Sequence, residues 1–126
     1  MKKLQHQLYI SAEAITQYAK SIEAPVQMLN GVQIAPTTMP IIFWNEFDIP
    51  WLNKNVPLIH GSQHFSYEKP IMAGMTLDCE LSLTKVEKKA GRKGELTLFT
   101  HNLVCTCNGD LIVTAETVLI SLGDGT

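Results

Sequence analysis

Residues 57–77 hold two of the chain's four histidines, His60 and His64, beside Gly61, and lead into Lys69-Pro70-Ile71-Met72-Ala73-Gly74. An imidazole titrates near neutral pH and can exchange protons with a substrate. Glu46, Asp48 and Glu68 are the carboxylates that could join it. His60 and His64 have equal strand parity, so they are predicted to share one face of a strand, where structural hydrogen bonds account for them as directly as catalysis does. His60 is the better candidate for touching a ligand. Gly61 beside it lets a backbone N–H come close to a carbonyl oxygen.

Other chemistries lack their residues. Gly61-Ser62 is not the G-x-S-x-G turn that displays a hydrolase serine, and no P-loop, dinucleotide-binding glycine pattern or H-E-x-x-H occurs. Of the three cysteines, Cys79 is isolated in sequence. Cys105 and Cys107 form a C-x-C whose equal strand parity disfavours a relaxed disulfide, and no second Cys/His pair completes a metal site. Buried thiols are the expectation, with no metal and no cofactor. A net charge of −2 gives no field for nucleic acid. Lys85, Lys88, Lys89, Arg92 and Lys93 cluster around a glycine turn and read as a solvated hairpin tip rather than a phosphate-binding patch.

The elements that must position these groups follow from pattern. Residues 1–126 fit one domain, 45% hydrophobic and 17% charged. Ser11 is a good N-cap for a helix over 12–22, where Ala14, Ile15, Tyr18, Ala19 and Ile22 recur at helical spacing until Pro25. Residues 24–36 read as a loop around Asn30-Gly31. Thr37 or Thr38 is expected to cap a second helix, with Pro40 in its first turn and Ile41, Ile42, Phe43, Trp44 and Phe47 after it. A short helical turn follows Pro50 around Trp51–Asn53. Segment 41–52 is apolar enough to require burial, in a core or against another subunit, with a lipid-binding box as the alternative. Leu77, Cys79, Leu81 and Leu83 then alternate with polar residues as a half-buried antiparallel strand. Gly91 and Gly94 bracket a turn before a strand over 95–107. Asn108-Gly109-Asp110 signals a hairpin into a last strand over 111–121. Helices followed by an antiparallel meander make an α+β domain. No apolar run approaches the roughly 20 residues of a membrane span, and the basic start Met1-Lys2-Lys3 has no apolar segment behind it. The cytoplasm is the expected compartment.

The order of features resembles the MaoC-like dehydratases of the hotdog superfamily. It looks most like the N-terminal half seen in fatty-acid-synthase-type and mycobacterial (3R)-hydroxyacyl dehydratases. The matching residues are Tyr18-Ala19, Ala35-Pro36-Thr37-Thr38-Met39-Pro40, Leu58-Ile59-His60-Gly61-Ser62-Gln63-His64-Phe65, Lys69–Leu77 and Asn108-Gly109-Asp110-Leu111-Ile112. The resemblance implies a long helix wrapped by a curved antiparallel sheet, two such units pairing, and acyl-thioester sites at their interface. Active members hydrate a trans-2-enoyl thioester or dehydrate the (R)-3-hydroxyacyl thioester. Their Asp and His, in a G-D-x-N-P-x-H motif, activate the water, and backbone donors polarise the thioester carbonyl.

This chain departs from that motif. Matching Pro25 to the motif proline puts Gln27 at the histidine position and Ile22 at the aspartate position, with Glu23 as the acid only if the register slips. Glutamine is no general base near neutral pH. The resemblance therefore implies no catalytic residues here, but a substrate-binding subunit of an (R)-specific enoyl-thioester hydratase or 3-hydroxyacyl-thioester dehydratase. His60, Gly61 and Gln63 would lie near the thioester, Thr37 and Thr38 would be more peripheral contacts, and 41–52 would line the acyl tunnel. The expected partners are an acyl thioester, carried by CoA or acyl carrier protein, and a second subunit. That subunit would make a homodimer, or a heterodimer with a catalytic MaoC-like chain. Two alternatives remain: a stand-alone acyl-CoA thioesterase using Glu46 or Asp48, and a catalytically silent acyl-CoA-binding homodimer.

Overall fold

The structure is a computed structural model that describes residues 2–52, 55–92 and 94–122. Strand β1 (Lys3–Tyr9) leads through Ile10 and Ser11 into helix α1 (Ala12–Ser21). The Ser11 hydroxyl accepts from the Ala14 amide at 3.0 Å, satisfying one of the donors a helix start leaves open. The helix has 10 residues, about 15 Å at the usual rise, and buries Ile15 and Ala19.

The 24–36 segment is not all loop. Gln27–Leu29 (β2) and Val32–Ile34 (β3) form a small antiparallel hairpin. Asn30 and Gly31 sit at φ 51° and 78°, the left-handed pair that a tight hairpin turn needs. Strands of three residues are too short to display alternation, which is why the pattern reads as loop. Backbone bonds from Ala35 to Ile71 and from Ala73 to Gln33 tie the hairpin to the body.

The expected second helix is a 3-10 helix, Met39–Glu46. Its apolar residues surround the axis instead of forming one stripe, and Met39, Pro40 and Phe43 are buried. Neither threonine caps it through its side chain; the Thr38 hydroxyl bonds the Tyr18 hydroxyl at 2.6 Å instead. Pro50 and Trp51 form a turn, while Asn53 lies outside the described residues.

The main sheet is built from β1, β4 (Leu58–Tyr67), β5 (Thr76–Gly91), β6 (Gly94–Cys107) and β7 (Asp110–Leu122), in spatial order β1-β5-β6-β7-β4. Its pairings are antiparallel throughout. β4 precedes β5 in sequence but lies outside β7, so β1 and β4 are opposite edges. The β5–β6 hairpin closes at Gly91 opposite Gly94, with Lys85–Glu87 and Lys88–Glu95 ion pairs at its exposed tip. Lys93 lies outside the described residues. Asn108 and Gly109 turn β6 into β7 with φ of 51° and 84°.

One face of the sheet packs on α1 and the 3-10 helix. Leu77, Cys79 and Leu81 of β5, Leu103 and Cys105 of β6, and Val113 and Ala115 of β7 form the core there with Ile10, Ile15 and Phe43. Cys79 is isolated only in sequence. It stands directly across from Cys105, with the two sulfurs 3.5 Å apart. A helix packed against a five-stranded antiparallel sheet is the expected α+β arrangement. Among the described residues no helix is long and apolar enough to cross a membrane.

Candidate functional site

β4 carries the candidate groups, and one irregularity decides where they point. The pairing with β7 runs from His60 opposite Leu119 to Ser62 opposite Val118, so Gly61 is an extra, unpaired residue in a bulge. A Cβ at Gly61 would stand 2.8 Å from Ile120 Cδ1 and 3.3 Å from the Val118 carbonyl oxygen, so close packing already favours glycine here. The bulge breaks the parity that the sequence suggests. His60 and His64 do not share a face. His60 follows Leu119 toward the helix-bearing side, whereas His64 lies opposite Glu116 on the other.

The same bulge brings His60 onto the face of Gln63, which lies opposite Thr117. The His60 Nε2 and Gln63 Oε1 atoms are 3.0 Å apart. Thr117 donates its hydroxyl to the same oxygen at 2.8 Å, and Gln63 Nε2 donates to the Glu116 carbonyl at 3.4 Å. With the amide oriented that way, an acceptor faces the imidazole, so His60 Nε2 is the donor of this bond. His60 is exposed and Gln63 half-buried. The group forms a fixed polar surface at the sheet edge.

The row continues inward. His101 of β6 lies opposite Thr117 and is wholly buried. Trp51 donates its indole N–H to His101 Nε2 at 3.0 Å, which leaves Nδ1–H to donate to the Phe99 carbonyl at 3.2 Å. The Trp44 ring meets the imidazole edge-on at a centroid distance of 4.9 Å. Burial among these rings pushes the His101 pKa down to about 4, so the ring is neutral at physiological pH. Sequence reasoning passed over His101. Its signal was an inward parity shared with Phe99, Leu103 and Cys105, in a chain with two tryptophans whose N–H groups need acceptors when buried.

Thr37 and Thr38 belong to a different group. Tyr67, at the far end of β4, donates its hydroxyl to the Thr37 carbonyl at 2.7 Å, and Thr38 is bonded to Tyr18. Burial, with Cys105 and Tyr18 nearby, raises the Tyr67 pKa. Four residues separate Gln63 from Tyr67, roughly 13 Å along a strand. The structure therefore brings His60, Gly61 and Gln63 together and leaves both threonines apart. Glu46 is also remote. Its carboxylate stands 3.6 Å from His6 of β1, at the edge opposite β4.

Where the resemblance would place an acid and a base, α1 ends. Ile22 is its half-exposed C-cap, Glu23 takes φ 57°, and Gln27 opens β2. Of the apolar 41–52 segment, Phe43 enters the core, while Pro50, Trp51 and Leu52 wall a cavity of about 170 Å³ with Leu58, Phe99 and Ser121. Among the described residues no group of three or more His, Cys, Asp or Glu side chains could hold a metal ion.

This sheet order, with the helix on one face, defines a hotdog-like fold. A MaoC-like dehydratase structure superimposes with a TM-score of 0.77 at 18% identity, over 97% of this chain and 42% of that one. The truncated HadBC (3R-hydroxyacyl-ACP dehydratase) complex from Mycobacterium tuberculosis gives 0.70 at 16% identity, over 94% of each chain. At such identities the likeness establishes the fold. Residues 3–115 match the FAS1-like dehydratase domain region. The chain belongs to this family, as a MaoC-like hotdog dehydratase relative. It is also 34% identical over 97 residues to a UPF0336 protein of Thermobifida fusca (strain YX), a match that covers 72% of this chain and 62% of that protein.

Proposed function

We propose that this chain is the substrate-binding, non-catalytic subunit of an (R)-specific enoyl-thioester hydratase or 3-hydroxyacyl-thioester dehydratase. The observation that carries the reading is a mismatch between two places. The end of α1 offers Ile22 and Gln27 where a water-activating pair would stand, whereas the β4 edge holds a built polar group, His60–Gln63–Thr117, beside a cavity. His60 and the bulged backbone at Gly61 would face the thioester, and the acyl chain would run toward Trp51. Water activation would come from a second subunit.

That subunit has a surface to meet. Among the described residues β4 pairs with β7 alone, and its Leu58 and Ile59 side chains are exposed. A partner along this edge would cover both and close the groove over His60. The HadBC (3R-hydroxyacyl-ACP dehydratase) structure is itself a complex.

The test is co-expression with catalytic MaoC-like chains, followed by light scattering and a hydration assay on a trans-2-enoyl thioester. The expected result is a dimer containing one copy of each, with turnover far above that of either chain alone. Full activity of the isolated chain, or failure to bind or affect any such partner, would sink the proposal.

A further inference from the structure

Trp51 stands between two cavities on the helix-bearing side of the sheet. Leu58 of β4, Phe99 of β6 and Ser121 of β7 line the smaller, of about 170 Å³. Lys2, Lys3 and Leu4, at the start of β1, line the larger, of about 350 Å³. Pro50 and Trp51 belong to both walls. The Trp51 indole N–H donates to His101 at 3.0 Å, and the two rings lie 21° from parallel. His101 is on β6, the middle strand of the order β1-β5-β6-β7-β4. The indole is therefore a partition, with the smaller cavity toward β4 and the larger toward β1.

The partition is anchored. His101 is wholly buried, its Nδ1–H donates to the Phe99 carbonyl at 3.2 Å, and the Trp44 ring meets it edge-on. Moving the indole aside would strand the buried Nε2 acceptor, a cost that holds the wall in place. Whatever enters from the His60 side meets a fixed end. Leu58 lies two residues along β4 from His60, roughly 7 Å of strand, the reach of about five or six carbons joined by bonds of about 1.5 Å. An interior cavity of about 150 Å³ takes up benzene, so the smaller cavity suits a group of about six carbons. A longer chain would have to run on past β6 toward β1, two strand spacings or about 10 Å further, through the space the indole fills.

We propose that Trp51 is the residue that limits acyl-chain length, closing the site to chains much longer than about six carbons. This rests on the thioester reading of the His60 groove and adds to it the class of acyl group and the side chain that selects it. The indole acts as a steric stop, and His101 is the positioning residue that holds it.

Calorimetric titration of the full chain and of Trp51→Ala with hexanoyl-CoA and dodecanoyl-CoA tests the assignment. The unmutated chain is expected to bind hexanoyl-CoA the more tightly. Removing the indole joins the two cavities, and each methylene newly buried there is worth about fourfold in affinity. Trp51→Ala should therefore raise the ratio of dodecanoyl to hexanoyl affinity by at least about tenfold. Trp51→Leu keeps an apolar side chain against His101 while clearing much of the same space. It should shift the ratio in the same direction, and it serves where the alanine variant does not fold. A preference of the unmutated chain for dodecanoyl-CoA, or an unchanged ratio in the folded variants, would overturn the role of Trp51 and leave the thioester reading standing. Binding of neither thioester by any of these chains would overturn the thioester reading with it.

Discussion

Strands β6 and β7 change character along their length on the face that meets α1. At one end Leu103 and Cys105 of β6 and Val113 and Ala115 of β7 join Leu77, Cys79 and Leu81 of β5 in an apolar core. Even its two thiols contact each other. At the other end the buried inward positions include Thr97, His101, Thr117 and Ser121, set among Phe99 and Leu119. Both ends lie in the same antiparallel pairing of β6 with β7, so the pairing itself does not require the polar residues. Burying polar groups is unfavourable unless every one is paired, and the Thr97 and Ser121 hydroxyls have no partner among the described residues. The apolar end makes the fold stable. The polar end gives up stability in the half of the sheet where His60, the cavity and the free β4 edge converge.

The largest effect expected is at the apolar end. Leu81 is fully buried and packs in the centre of the core. Leu81→Ala should lower unfolding stability by about 2–5 kcal/mol, through lost transfer energy and the cavity left behind. Urea denaturation checks it, and a loss below about 1 kcal/mol would mean the two ends differ less than their composition suggests.

Acid separates the ends next. The folded His101 pKa lies below the unfolded value, so the unfolded chain binds more protons as the pH drops from about 6.5 toward 4. The stability this neutral ring contributes is complete above the unfolded pKa and is lost as pH falls through the folded one. Allowing for screening, the urea midpoint should fall by the equivalent of about 1–2 kcal/mol between roughly pH 7 and pH 5. His101→Gln should flatten that slope. An unchanged slope would show that the imidazole is not the group being titrated.

Much of this division could be read from sequence, and the missing parts share a cause. Ser11, the alternation from Leu77 to Leu83 and Asn108-Gly109 mark α1, β5 and the β6–β7 hairpin, because each signal is local, whereas Asn30-Gly31 read only as loop between strands too short to show alternation. The bulge at Gly61 is not local. An extra residue in one strand is defined only against its partner, so sequence parity put His60 and His64 on one face when they occupy two. The Cys79–Cys105 contact, the Trp51–His101 bond and the facing pair Thr97–Ser121 likewise exist only once β5, β6 and β7 are in register. Among the candidate site residues, His60 and Gln63 were close enough in sequence to be grouped. Thr37 and Thr38 joined them on family order alone, and Tyr67 and Tyr18 hold them about four strand residues away.

The smallest effect is the most discriminating, because its sign is opposite to that at Leu81. If the Thr97 hydroxyl has no partner in the unliganded chain, Thr97→Val replaces a desolvated polar atom with a methyl group of similar size. Removing such a group recovers part of a penalty of about 1–3 kcal/mol, offset by small packing changes. The variant should be as stable as the parent or up to about 1 kcal/mol more stable, as read from the urea midpoint. An ordinary core threonine with a satisfied hydroxyl would instead lose about 1 kcal/mol. A stabilised Thr97→Val beside a destabilised Leu81→Ala would show that one face of one sheet carries a core at one end and a site at the other.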